Sequence, residues 1–320
     1  MKTGLVLGAG GLVGLAYHAG ALRALEVEGG IVPDDADLMV GTSAGSVIAA
    51  YLRTGRSTED FWLLALGTHP KMTALVGPEA VGGVFSPLAA SPVDVLRRGI
   101  GSAYVLARSV VRVPVPPLPN LLTRAFPGGF FAPAEGRRRF ADELPEEWPE
   151  KDLNICAVNI TTGRRVVLGR RKEPAIDLRQ AVLASAAIPG LYPPVRIGPM
   201  TLVDGGAHST TNLDIAVSAG CRAIIGVVPM AYDTADAPSR CHQLVRRIPA
   251  RMLGREVAAA RRAGVEVLLL RPSADEVRLH GTNMMRTEGL DDVARAAYES
   301  TARTVATPRF QRVLADCAAA

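Results

Sequence analysis

The sequence predicts an α/β fold of three layers, with helices on both faces of a mostly parallel central sheet. Three observations carry this. Short apolar segments of strand composition alternate with longer segments of helical spacing, the pattern of βα units. Two strands run into glycine-rich turns that open helices, G-A-G-G-L-V-G at 8–14 and G-T-S-A-G at 41–45. A third, Thr201-Leu-Val-Asp204, ends on a carboxylate followed by Gly205 and Gly206.

Taken in order, strands are expected near 3–8, 37–41, 152–160, 164–169, 200–204, 222–229 and 265–271, and helices near 13–28, 44–54, 177–187, 250–263 and 290–306. The segments 152–160 and 164–169, joined by Thr161-Thr162-Gly163, read as the one hairpin. Between 68 and 149, prolines and glycines break up short apolar pieces such as Val110–Leu118 and Phe126–Phe131. So long an irregular stretch is expected to be an insertion in a single domain spanning 1–320, either an extra helical layer or a lid. Arg97, Arg98, Arg108, Arg112 and Arg124 flank those pieces, a composition suited to contact with anionic head groups.

Composition bounds the function. Hydrophobic content of 48% with 21% charged residues predicts a soluble globular protein, and aromatics at 5% argue against base stacking and a nucleic-acid partner. The net charge of +5 comes almost wholly from arginine, since lysine occurs only at Lys2, Lys71, Lys151 and Lys172. Cys156, Cys221, Cys241 and Cys317 form no C-x-x-C pair and read as reduced, buried thiols. No run of 18 uncharged apolar residues is present, so no spanning helix is expected. The start imitates a signal peptide but is too rich in glycine for its apolar helix. The expected location is cytoplasmic, with peripheral contact at a membrane left open.

The chemistry centres on Ser43. A strand turning into a helix through G-x-S-x-G is a nucleophile elbow, with Gly41 and Gly45 allowing the sharp turn and the helix N-terminus favouring negative charge. The 8–14 loop imitates a dinucleotide fingerprint, but the second strand runs into the serine turn without the acidic residue that would hold a ribose. The same amides suit an oxyanion, with Gly10 and Gly11 allowing close approach. A histidine triad is not excluded by chain order, since His208, His242 and His280 follow Asp204; only two strands precede Ser43, however, which argues against an α/β-hydrolase elbow. His18, His69 and His242 read as structural. Asp204, closing an apolar strand, is the better candidate for a base, and its bland alternative is a tight Asp-Gly-Gly turn.

In these residues the chain resembles the patatin-like phospholipases, lipid acyl hydrolases with a Ser–Asp dyad. The resemblance rests on the 8–14, 41–45 and 204–206 motifs in that order, and on Ala184-Ser-Ala-Ala-Ile-Pro-Gly190 followed by Pro193-Pro194. It covers about 1–55 and 177–217, not the insertion. It implies Ser43 as nucleophile, Asp204 as base, and Gly10, Gly11 and the Leu12 amide as the oxyanion hole. The implied partner is a lipid or other acyl ester, and no metal or organic cofactor is implied. Two positions depart from the family: Val13 stands where Arg or Lys is common, and Ala9 where glycine is frequent. An acyltransferase or thioesterase would use the same dyad, and a non-catalytic binding protein would keep the fold.

Overall fold

The computed structural model describes residues 1–71, 85–111, 120–172, 175–232 and 239–318. The first strand, β1 (Thr3–Leu7), leads into helix α1 (Gly11–Val27), and β2 (Leu38–Thr42) into α2 (Ala44–Arg53). Both strands are buried on both faces: Leu5, Leu7 and Met39 join one core, and Val6, Leu38 and Val40 the other. This is why they read as continuous apolar runs, as strands of a covered parallel sheet do. Helices α1, α2, Leu178–Ser185 and Leu290–Val305 supply one layer, and Asp214–Ser218 with Arg240–Arg262 the other.

A two-residue pair, β3 (Ser86–Pro87) with β4 (Phe131–Ala132), stands apart from the main sheet. The main sheet adds β5 (Asp152–Asn159), β6 (Arg164–Leu168), β7 (Val195–Ile197), β8 (Met200–Asp204), β9 (Ala223–Val227) and β10 (Glu266–Leu270), in the order β10-β9-β1-β2-β5-β8-β7. Neighbours from β10 through β5 are parallel; β5–β6, β5–β8 and β7–β8 are antiparallel. The β5–β6 hairpin is therefore not the one hairpin expected, because β7 and β8 form a second.

One detail of register positions the site. Over Ile155 and Cys156, β5 pairs with β2 and β6 together, so these lie on its opposite edges. Over Ala157–Asn159 it pairs with β6 and β8, so β8 shares the edge of β2. The two strands run toward each other along that edge, β2 stopping at Thr42 opposite Cys156 and β8 at Asp204 opposite Ala157. Their ends meet head to head.

The described part of 68–149 contains helices Pro92–Leu106, Asn120–Ala125 and Ala134–Glu143. Ser91 caps the first, accepting from Asp94 N–H, and Pro92 occupies its first turn, both favourable helix-start chemistry. Most of Val110–Leu118, with Arg112 and the Arg124 side chain, lies outside the described residues. So do the side chains of Cys241, His242 and Cys317, while Cys156 and Cys221 are buried free thiols. Of the other arginines, Arg97 and Arg98 bond within the insertion and Arg108 ties it to the end of β5. Arg97 Nε donates to Ala125 O at 2.7 Å, Arg98 Nη1 to Gly129 O at 3.0 Å, and Arg108 Nε to Ile160 O at 2.8 Å. The Phe130 and Phe131 amides both donate to Leu191 O at 3.0 Å, and Phe131 packs edge-on against Phe85. The backbone of Phe130 and Phe131 is thus tied to the body of the protein, and both side chains are half-buried. Among the described residues no helix is long and apolar enough to cross a membrane.

Candidate active site

Ser43, the residue after β2, adopts φ 55° and ψ −121°, a region a side chain rarely occupies. Such a conformation costs on the order of 1–3 kcal/mol and persists only where its surroundings fix it. The serine itself carries the strained turn, whereas Gly41 and Gly45 have ordinary φ and supply clearance. A Cβ on Gly41 would lie 2.6 Å from Ser46 Cα, and one on Gly45 would collide with the Leu7 carbonyl.

A set of side-chain hydrogen bonds holds the turn. Ser43 N–H donates to Ser185 Oγ at 3.0 Å, and Ser185 Oγ donates to Cys156 O at 2.7 Å. Ser46 Oγ donates to Ser43 O at 2.6 Å. Asn212, also at positive φ, donates from Nδ2 to Thr42 Oγ1 at 3.0 Å and accepts from Arg165, which is paired with Asp214. Ser185 belongs to the Ala184–Gly190 segment singled out from sequence. Asn212 and Arg165 carry no motif, and nothing local marks them.

The meeting of strand ends brings Asp204 beside Ser43, near enough for the serine hydroxyl to favour the ionised carboxyl, and Gly206 N–H donates to Asp204 Oδ1 at 2.7 Å. Gly205 is buried against Cys156. Ser43 and Asp204 are only 4% and 5% exposed. Burial opposes ionisation more than these two donors favour it, so the Asp204 pKa is pushed up to about 6. His208 sits beyond the short turn after Asp204, its N–H on Gly205 O at 2.9 Å.

The glycine loop completes the geometry. Gly10 caps α1, and its carbonyl accepts the first helical bond from Gly14 N–H at 2.7 Å. Among the described residues the N–H groups of Gly10, Gly11 and Leu12 meet no acceptor, as expected of a helix N-terminus. Gly11 takes φ +59°, and a Cβ there would come within 2.6 Å of Met284 O and 2.9 Å of Met285 Sδ. Val13 is fully buried in the core, so a cation at that position would be buried as well. The loop is braced by other means. Val13 N–H donates to Met284 O at 3.1 Å, and His18 Nε2 donates to Gly8 O at 2.8 Å. Burial lowers the His18 pKa to about 4, so its ring is neutral at pH 7.

Beside Ser43 lies a cavity of about 140 Å³, lined by Gly11, Leu12, Leu15, Val47, Phe140 and Leu183 among others. Ser43, Gly11 and Leu12 thus border one apolar chamber, with the buried Asp204 at the end of the strand that meets β2.

A family model described as patatin-like phospholipase matches residues 5–217. Among solved structures, the chain is similar to VipD from Legionella pneumophila, with 18% identity over 95% of this chain and 66% of that one and a TM-score of 0.45. It is also similar to the type III effector ExoU, at 16% identity over 95% and 52% and a TM-score of 0.40. The ExoU–SpcU complex from Pseudomonas aeruginosa gives 22% identity, the same coverage and a TM-score of 0.36. The chain thus spans between half and two thirds of the length of these proteins. No curated protein matches. With the family match extending over well more than half its length, the chain belongs to the patatin-like phospholipase family.

Proposed function

We propose that the protein hydrolyses acyl esters of lipids through an acyl-Ser43 intermediate, with Asp204 as general base. The observation that carries this is the convergence of β2 and β8 on one edge of β5, which sets the Ser43 hydroxyl against a buried carboxylate. Ser43 Oγ attacks the ester carbonyl as its proton passes to Asp204, and the oxyanion forms beside the amides of Gly10, Gly11 and Leu12. Collapse breaks the bond to the leaving alcohol, which takes the proton from Asp204. Water then attacks the acyl-serine while giving a proton to Asp204; collapse releases the acid and returns the proton to Ser43 Oγ. A carboxylate with a pKa near 6 is a stronger base than an ordinary one and remains ionised at neutral pH.

Labelling with an alkyl fluorophosphonate, followed by intact mass spectrometry, tests the nucleophile without requiring the right substrate. One adduct is expected on the wild type and none on Ser43→Ala. Because Asp204 must be ionised to act, kcat/KM should fall about tenfold per pH unit below about 6 and be flat above it. A rate independent of pH between 4 and 7 would remove Asp204 from the role. Product analysis with added alcohol acceptors separates the hydrolase from an acyltransferase with the same dyad.

Peripheral contact with a lipid surface is supported by the helix Pro92–Leu106, where Val93, Leu96 and Ile100 follow one face and are 65%, 65% and 48% exposed. Leu96→Ser with Ile100→Ser should lower activity on anionic liposomes several-fold more than on a short dissolved ester. An equal loss on both, with a lower melting temperature, would mark this face as packing.

A further inference from the structure

The cavity beside Ser43 is apolar along its length, yet two arginines of the helix Ala134–Glu143 line it. Arg139 is half-buried and lies 3.6 Å from the Glu143 carboxylate, which also pairs with Arg56 at 2.5 Å. Arg137 differs. It is exposed, so it stands at the mouth, and among the described residues it has no carboxylate within ion-pair distance. Among the described residues no aspartate or glutamate lines the cavity with it. A guanidinium at the edge of an apolar chamber is suited to an oxyanion, which its fork of N–H donors can hold by two charge-assisted bonds.

The size of the chamber bounds how much of a chain it walls in. An apolar protein cavity of about 150 Å³ accommodates benzene, a ligand of six carbons. A chamber of about 140 Å³ therefore has room for roughly six to eight carbons of a chain, and any further length runs out through its mouth.

Resting on the hydrolase reading above, we infer that the site selects single-chain acyl esters whose enclosed chain is about six to eight carbons and which carry an oxyanion, held by Arg137, close to the ester. Two features of one cavity thus read the two ends of one amphiphile. The apolar walls measure the chain, and Arg137 recognises the charge.

Calorimetric titration with n-alkyl phosphates, which Ser43 cannot cleave as carboxylic esters, tests the site whether or not it turns over. From butyl to hexyl phosphate the affinity should rise about fourfold per methylene, then flatten beyond about eight carbons. Octyl phosphate should bind at least tenfold more tightly than octanol, and inorganic phosphate alone should show no saturation at millimolar concentration. Arg137→Ala should reduce octyl phosphate affinity about tenfold and octanol affinity less than twofold, with Arg137→Lys in between. Equal binding of octyl phosphate and octanol, an effect of Arg137→Ala below twofold, or affinity still climbing at dodecyl phosphate would overturn the inference. If these ligands discriminate as expected but no acyl ester is cleaved, the hydrolase reading fails alone. If esters are cleaved without discrimination, only this inference fails.

Discussion

Residues 5–217, which match the family, and residues 218–320, which do not, contribute to the same place in unlike ways. The first part carries Ser43, Asp204 and the free amides of Gly10, Gly11 and Leu12. The second carries none of these, yet it closes over the loop that presents the amides. Met284 O accepts Val13 N–H and crowds Gly11, and Pro229 packs against Gly10, where an added Cβ would lie 3.0 Å from Pro229 Cβ. Helix Leu290–Val305 lies so close to α1 that a Cβ on Gly20 would collide with the Ala294 carbonyl. The candidate reacting groups are local to turns at strand ends, whereas the loop beside them is braced both by His18 nearby and by residues far along the chain.

The largest effects should come from the first part alone. Ser43→Ala and Asp204→Asn should each lower kcat by on the order of 10⁴-fold, and the double variant should be no worse than either, if the two act as the proposed nucleophile and base, a single unit. Steady-state kinetics on folded, purified variants decides this; additive losses would mean that the two side chains act independently. His208→Ala should retain most activity, and a loss as deep as that of Ser43→Ala would favour a histidine in the mechanism.

Next comes the seam between the two parts. Gly11→Ala forces a Cβ at φ +59° toward Met284 O, so the loop or the Met284 backbone must shift. If the amides stabilise an oxyanion, kcat should fall by about 10²-fold. Gly55→Ala is the control, since it also sits at positive φ but meets nothing within 4 Å. Equal, small effects on kcat at both positions would show that the seam does not set the amide geometry.

What was legible follows the same division. The strand ends bearing Ser43 and Asp204, and the glycine loop, stand out because each is a run of special residues after an apolar strand. Their pairing was implied only by the family resemblance, because its geometry depends on β2 and β8 sharing one edge of β5, which no local pattern shows. The placing of strain on Ser43 was not legible, since glycines on either side suggested that they carry it. In the insertion, the helix Ala134–Glu143 has Phe140 as its buried apolar anchor amid charged residues, so no apolar stripe announces it. Helix Arg240–Arg262 begins ten residues before the expected 250 and runs through Pro249, a residue that ordinarily marks a boundary.

Hidden in that unexpected first half is Arg246, and it offers the finest test of the comparison. Its side chain is 1% exposed, with no carboxylate within ion-pair distance among the described residues. Burial lowers its pKa only to about 10, so it stays charged at pH 7. The guanidinium donates to Pro229 O, to Ala231 O at 3.4 Å, to His280 Nδ1 at 2.9 Å and to Met284 Sδ at 3.4 Å. Pro229 and Met284 are the residues that press on Gly10 and Gly11, so Arg246 ties both halves of the brace together. Arg246→Met keeps much of the volume but leaves buried acceptors without donors, at a cost of about 1–3 kcal/mol each. If the brace fixes the amides, kcat should fall about tenfold with KM within twofold, because oxyanion contacts form only in the transition state. Arg246→Lys, which keeps the charge but not the fork, should recover part of it. A variant that melts earlier yet turns over normally while folded would reduce residues 218–320 to packing, and the contrast between the two parts would lose its functional content.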